Sequence, residues 1–494
     1  MEETEFKHFH LHGDEVVPVK SYAEPEPEWT PEEEKAVRRK LDYRIVPVVT
    51  LLYLLCFIDR ANIGNARIMG MREDLALVGY RFNWALSIFY VTYMLVEIPS
   101  NIILKKVGPR FWIPFLVGGF GLVSICTAFV KSWSQLMVAR AFLGIFEGGT
   151  MPGIAFFLSC FYRREELLFR IGIFVSGSSM AGAFGGLLAT GLSSIPRWGV
   201  AATPIYRWRN IFFFEGLFTV LVSLAAPFFM PTRPEDCFFL NARERMIAAE
   251  RLVREHKANP HENVKMHHVK RAVFNINNLV CCGGFFLINI TVQSFSLFLP
   301  TILNDLGWTA TRAQLYSVPP YVCAATISIL IAFISDKTRL RGVYLAGFSI
   351  LTIIGFAILR TSGSANIKYM AVFFSAIGAF PGGPGFLAWG LNNSAGPAVR
   401  AVTGAYIVSI GTLGAIVATW TYIVTDAPLY HTGHSINIGA QAAVFVLVCG
   451  GVAYIVYENK LRARGGRDHR LKENMTHQEE ADLGYRHPEF RYIP

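Results

Sequence analysis

Apolar runs of about 20 residues recur along the whole chain, separated by short polar stretches. About 20 helical residues rise ~30 Å, the thickness of a bilayer's hydrocarbon core, so each run is predicted to be a membrane-crossing helix. Twelve such spans are read, at 45–63, 83–104, 111–130, 135–161, 170–193, 209–230, 273–300, 313–335, 342–360, 367–391, 400–425 and 437–458. The pattern therefore predicts an all-α membrane protein with twelve transmembrane helices in two six-helix halves. The expected organisation is an N-terminal segment (1–44), a first half (45–230), a polar linker (231–272), a second half (273–458) and a tail (459–494). The first 30 residues are acidic and polar and lack an apolar signal core, so insertion is expected to rely on the first span.

Glycine and proline punctuate two of the runs at equivalent places. Span 4 carries Gly148-Gly149-Thr150-Met151-Pro152-Gly153, and span 10 carries Pro381-Gly382-Gly383-Pro384-Gly385. Breaks of this kind persist in a membrane where neighbouring helices or water satisfy the freed backbone. Their matching positions point to an internal repeat.

Composition agrees with the pattern. Of the 494 residues, 52% are hydrophobic and 17% charged, against ~25% charged in soluble domains. The net charge of +10 is concentrated where membrane topology requires it. Lys35, Arg38, Arg39, Lys40 and Arg44 precede span 1, and nine Lys or Arg residues stud the linker. Lys460, Arg462, Arg464, Arg467 and Arg470 follow span 12. With an even number of spans these three segments share one side, and the positive-inside rule places it in the cytoplasm. Arg67, Arg72, Arg81, Arg197 and Arg207 then fall in outer loops. The basic balance needs no nucleic-acid partner; the expected partners are a small solute and the lipid bilayer. A multi-pass monomer is expected. Seven of the eight cysteines lie in apolar runs with no metal spacing, and read as small buried side chains. The histidines sit in polar segments without ligand geometry, so neither a metal nor a cofactor is expected. The chain is not expected to be an enzyme.

Ionisable residues inside a span are costly and are functional candidates. Span 1 holds Asp59 and Arg60, span 4 holds Arg140 and Glu147, span 2 holds Glu97 and span 6 holds Glu215. At ~1.5 Å per residue, Asp59 and Arg60 lie ~20 Å from the start of span 1, in overlapping depth ranges with Arg140 and Glu147. Seven residues make nearly two turns, so Arg140 and Glu147 share a face. Two acids and two bases can neutralise one another at rest and exchange partners when a proton or an anion arrives. The plain alternative is a static cluster that holds helices together. Glu97 and Glu215 fit helix-end or pairing roles better. Tyr90 and Tyr93 lie near the depth of Arg60, Asn289 and Gln293 are one turn apart in span 7, and Asn392, Asn393, Tyr406, Ser409 and Thr412 add polar atoms in spans 10 and 11. Each could line a cavity or bond between helices.

Several stretches resemble the anion:cation symporter branch of the major facilitator superfamily, and within it the fungal allantoate and nicotinate permease-like transporters. They are Phe57-Ile58-Asp59-Arg60-Ala61-Asn62-Ile63-Gly64, Tyr93-Met94-Leu95-Val96-Glu97-Ile98-Pro99-Ser100-Asn101, and Arg140-Ala141-Phe142-Leu143-Gly144-Ile145-Phe146-Glu147-Gly148-Gly149. Trp208-Arg209-Asn210-Ile211 through Glu215-Gly216 in span 6 and the ending His487-Pro488-Glu489-Phe490-Arg491-Tyr492 match too. The resemblance implies a central site between the halves, alternating access and proton-coupled movement of a small organic anion. Arg60 would bind the substrate carboxylate, Asp59 and Glu147 would carry the proton, and Arg140 would partner them. Tyr90, Tyr93, Asn289, Gln293, Asn393 and Tyr406 are the accompanying substrate-site candidates. The sequence departs from the superfamily pattern in one loop: Leu104-Lys105-Lys106-Val107-Gly108-Pro109-Arg110 has no acid, whereas the loop after span 8 keeps Asp336, Arg339 and Arg341. Gating is therefore expected to depend on these three. An exporter of an anionic secondary metabolite is the next reading. Span 5 reads Ala181-Gly182-Ala183-Phe184-Gly185-Gly186, without the proline of drug–proton antiporters, which counts against it. A transporter-derived sensor is a third, disfavoured by the short linker and tails.

Overall fold

A computed structural model describes residues 29–199, 204–258, 266–395, 397–471 and 483–494. Twelve long helices carry the fold: α1 (Pro31–Ala66), α2 (Arg81–Val107), α3 (Pro109–Thr127), α4 (Trp133–Ser159), α5 (Arg164–Ser193) and α6 (Trp208–Phe229) in the first half. The second half holds α7 (Ile276–Asp305), α8 (Ala310–Thr338), α9 (Arg341–Thr361), α10 (Ala365–Asn392), α11 (Pro397–Ala418) and α12 (His431–Ala463). Ten have described stretches long and apolar enough to cross a membrane; α5 and α11 contribute shorter apolar stretches, Met180–Ser193 and Val402–Ala418. Large apolar side chains such as Ile98, Phe228 and Phe333 face outward, 72–76% exposed. In water this would be a liability; against lipid tails it costs nothing.

The two halves repeat one packing scheme. In the first, α1 packs on α5, α2 on α4 and α3 on α6; in the second, α7 packs on α11, α8 on α10 and α9 on α12. The helix breaks foreseen at the glycine-proline elements are present. One interrupts α4 between Glu147 and Thr150, and the other interrupts α10 between Ala379 and Gly382. Glycine is required at the first: a Cβ on Gly148 would sit 2.4 Å from the Tyr93 carbonyl oxygen.

Three elements differ from the sequence reading. Helix α1 begins 14 residues before the expected span, at Pro31. Thr30 caps it, accepting from Glu33 N, while Glu33 reaches back to Thr30 N, a capping box whose Thr-Pro-Glu-Glu signature was in plain view. Arg67, expected in an outer loop, is instead buried in a tight turn after α1, its guanidinium 4.4 Å from the Phe82 ring centroid. The linker forms a helix at Ala242–Ala258 that docks on the first half. Arg251, fully buried, donates to Phe161 O at 2.7 Å and lies 3.3 Å from Glu166. Glu244 accepts from Lys40 at 2.6 Å, and that contact holds its carboxyl below the usual range. The face of the molecule that carries the linker and the start of α1 is called the linker face below.

Candidate functional site

Between the halves lies a cavity of ≈ 110 Å³, walled by α1, α2 and α4 on one side and by α7, α10 and α11 on the other. The broken helices matter here: Met151, just past the α4 break, and Gly383 and Pro384, just past the α10 break, all line it. From α1, Tyr53, Cys56, Phe57 and Arg60 face inward at spacings of three and four, one helical face.

Arg60 is the only charged side chain in the described lining. Its Nη2 and Nε reach Glu147 Oε2 at 2.8 and 3.2 Å. Four rings surround the guanidinium, Phe57, Phe89, Tyr90 and Tyr93, with centroids 4.8, 5.2, 5.9 and 5.2 Å away. Aromatic faces attract a cation, so the shell holds Arg60 at the cavity wall without satisfying its N–H donors. Glu147 is fully buried at the α4 break and also accepts from Cys56 Sγ at 3.2 Å. Its second oxygen, Oε1, has no partner among the described residues.

The expected mutual neutralisation of four charges is only half realised. Asp59 accepts from Ser124 Oγ of α3 at 2.6 Å, and its Oδ2 is unpartnered. Arg140 is buried and stands over the Phe212 ring at 5.9 Å with Nη2 unpartnered; it forms no ion pair among the described residues. One acid and one base are paired while the other acid and base lie near them, each with a free hydrogen-bonding position.

The remaining candidates divide. Tyr90 donates to Gln293 Oε1 at 3.0 Å across the two halves. Tyr93, Gln293 and Asn289 line the cavity, Asn289 also donating to Gly411 O. Asn393 and Tyr406 do not join them. Asn393 lies at the far end of α10, fully buried, donating to Ile493 O and accepting from Ile493 N. The returning tail occupies it. Tyr406 packs among the Cys281, Cys282 and Phe386 cluster, because the cavity face of α11 is the one bearing Val408, Thr412 and Ala415. Arg339 caps α8 in a left-handed conformation (φ 57°), and Arg341 opens α9. With the Asn392 amide turned, its oxygen accepts from Arg341 Nε and Nη2 at 2.8 and 3.0 Å, a contact within the second half. The Asp336 side chain lies outside the described residues. Sequence reasoning missed Cys56, Tyr53 and Phe57; their spacing of three and four from Arg60 was the available signal.

The halves are joined on the side away from the linker face. Asn83 of α2 donates to Thr419 O and Tyr422 O beyond α11, Ser87 bonds Thr419, and Thr190 of α5 bonds Gln314 of α8. The hydrogen bonds described between the halves lie at the cavity and on the side away from the linker face.

A polytopic helical protein of two repeated halves around a central cavity is a secondary transporter by architecture. Residues 49–419 match the family model of the Major Facilitator Superfamily, and the chain belongs to that family. Relatives are fungal transporters. An uncharacterized transporter of Schizosaccharomyces pombe is 32% identical over 87% of this chain and 88% of its own length. The high-affinity nicotinic acid transporter of Saccharomyces cerevisiae is 30% identical over 93% and 85%. Among solved structures, a bacterial homologue of the human lysosomal transporter Spinster, inward-facing and unoccupied, superposes with TM-score 0.61 at 18% identity over 86% of this chain and 97% of its own. The D-xylose-proton symporter gives 0.60 at 16% identity over 82% and 97%. The last two bear on the fold alone.

Proposed function

We propose that the chain takes up a small organic carboxylate together with a proton by alternating access. The observation that carries this reading is Arg60, a guanidinium facing the cavity, ringed by aromatic groups and held by a fully buried carboxylate. An incoming carboxylate competes with Glu147 for the same N–H donors. A proton on Glu147 removes its charge and frees Arg60. Loading one proton and one monoanion leaves the buried site's net charge unchanged, whereas either alone would strand a charge in low dielectric. Asp59 is a second proton carrier and Arg140 the base that balances it. Tyr90, Tyr93, Asn289 and Gln293 complete the wall, and the Tyr90–Gln293 bond lets substrate engage both halves.

The linker face is cytoplasmic by its basic content, and the membrane is the plasma membrane. Asp336, Arg339 and Arg341 latch the linker face when it closes. The relative named for nicotinic acid, a small aromatic monocarboxylate, supports the substrate class. Uptake of labelled nicotinate, other monocarboxylates and ureido acids by expressing cells tests the reading. Accumulation of at least one should rise as external pH falls and collapse with a protonophore. Transport of neutral analogues alone, or accumulation indifferent to the proton gradient, would sink it.

A further inference from the structure

Asn62 and Arg60 point to opposite sides of α1, and behind the cavity Asn62 meets a second carboxyl group. Glu215 of α6 is 8% exposed and accepts on Oε2 from the fully buried Asn62 amide. Glu215 Oε1 and Asn62 Oδ1 are both buried and both unpartnered. No cation pairs with Glu215 among the described residues.

The charged groups around it are few. From α1, Asp59 is near enough for its charge to be felt at Glu215. From α4, Arg140 lies over Phe212, one turn before Glu215, while Glu147 engages Arg60 on the cavity side. From α3, Ser124 donates to Asp59 and Phe212 O; Arg110 of α3 is at the other end, bonded to Pro227 O. Arg170 of α5 is held by Asp42 towards the linker face, and Arg67 after α1 lies on Phe82.

A primary amide and an ionised carboxylate share one hydrogen bond, because the amide oxygen and the second carboxylate oxygen are both acceptors. A protonated carboxyl shares two with the amide, N–H···O=C and O–H···O=C. A proton on Oε1 is thus the donor that both orphaned atoms lack, and it removes a buried charge that has no counter-ion. We propose that Glu215 and Asn62 form a second proton-binding site of this transporter, separate from the Arg60–Glu147 pair. The site takes one proton onto Oε1 and returns it; only an O–H bond forms and breaks. It keeps a proton away from the anion's path, and that role rests on the proton-coupled reading above.

Infrared difference spectroscopy of the full chain in nanodiscs tests the site directly. Glu215→Gln keeps both hydrogen bonds through its NH2 group and cannot release a proton. The parent should show a protonated-carboxyl C=O band that fades from acid to alkaline pH, with part of it lost in Glu215→Gln and shifted in Asn62→Ala. Proton-driven accumulation should be lost in Glu215→Gln with substrate exchange retained. An unchanged band in Glu215→Gln overturns the proposal, as does parent-like accumulation in that variant. Should Glu215→Gln fail to fold, Asn62→Ala decides: an unmoved band overturns the site. A band lost in Glu215→Gln in a parent that shows no proton-driven accumulation upholds the proton site and overturns the transport reading instead.

Discussion

Replacing Arg60 separates its two partners, and the structure sets the expected sizes. Arg60→Lys keeps the charge but loses the fork that places two N–H groups on one carboxylate oxygen at 2.8 and 3.2 Å. One charge-assisted hydrogen bond contributes ~1.5–3 kcal/mol, so substrate affinity should fall about tenfold or more. Arg60→Ala also leaves Glu147, which is fully buried, without its counter-ion, at ~3–5 kcal/mol of stability. Adding Glu147→Gln to Arg60→Ala removes that stranded charge and should recover most of the stability without restoring affinity. Melting temperatures of the four purified proteins, with equilibrium binding of the labelled carboxylate found by uptake, give both quantities. Parent-like affinity in Arg60→Lys would refute the bidentate role. A double variant no more stable than Arg60→Ala would show that Glu147 does not depend on Arg60 for its charge.

Three further outcomes are expected. Glu147→Gln should abolish uphill accumulation while exchange of substrate across the membrane persists; unchanged accumulation removes Glu147 from the coupling. Tyr90→Phe deletes the 3.0 Å bond to Gln293, worth ~1 kcal/mol, and should raise labelling of a cysteine placed between α2 and α11 about fivefold; equal labelling would mean the bond does not help close that side. Tyr492→Ala, which empties a position 4% exposed against the Arg462 guanidinium, should cost ~3 kcal/mol, read as a lower melting temperature with transport retained; an unshifted melt would show that tail docking adds no stability.

Periodicity made the twelve spans legible because a helix in lipid must bury its backbone within itself, so length and hydrophobicity alone mark it. The breaks in α4 and α10 were legible because glycine and proline cluster at equivalent places in the two halves, Gly148–Gly153 and Pro381–Gly385, whereas Pro319 and Pro320 sit in an unbroken α8. The cluster around Arg60 was legible because intramembrane charge is rare. What the chain hid was rotation and return. Tyr406 and Thr412 look alike in sequence as polar positions of α11, yet only Thr412 is on the face towards the cavity. Asn393 is claimed by Ile493, 100 residues away. Cys56 read as filler, and its bond to Glu147 depends on how α1 and α4 cross.

The distribution of bond types suits a molecule that rocks. Among the described residues every ion pair lies within one half or ties the linker to the first half: Arg60–Glu147, Arg38–Glu166, Arg170–Asp42 and Arg251–Glu166 in the one, Arg462–Glu458 and Arg467–Glu458 in the other. The seam between the halves uses neutral partners instead: Asn83, Ser87, Thr419, Tyr90, Gln293, Thr190 and Gln314. Neutral hydrogen bonds contribute ~1 kcal/mol each, net of water, and apolar contacts such as Phe82–Phe298 and Trp84–Trp420 add to them. Swinging a two-state balance from 1:99 to 99:1 takes ~5.5 kcal/mol of differential binding. Opening a neutral seam strands no charge, whereas opening a seam of buried ion pairs would. The strong contacts make each half rigid, and the weak ones leave the boundary between them free to open on either side.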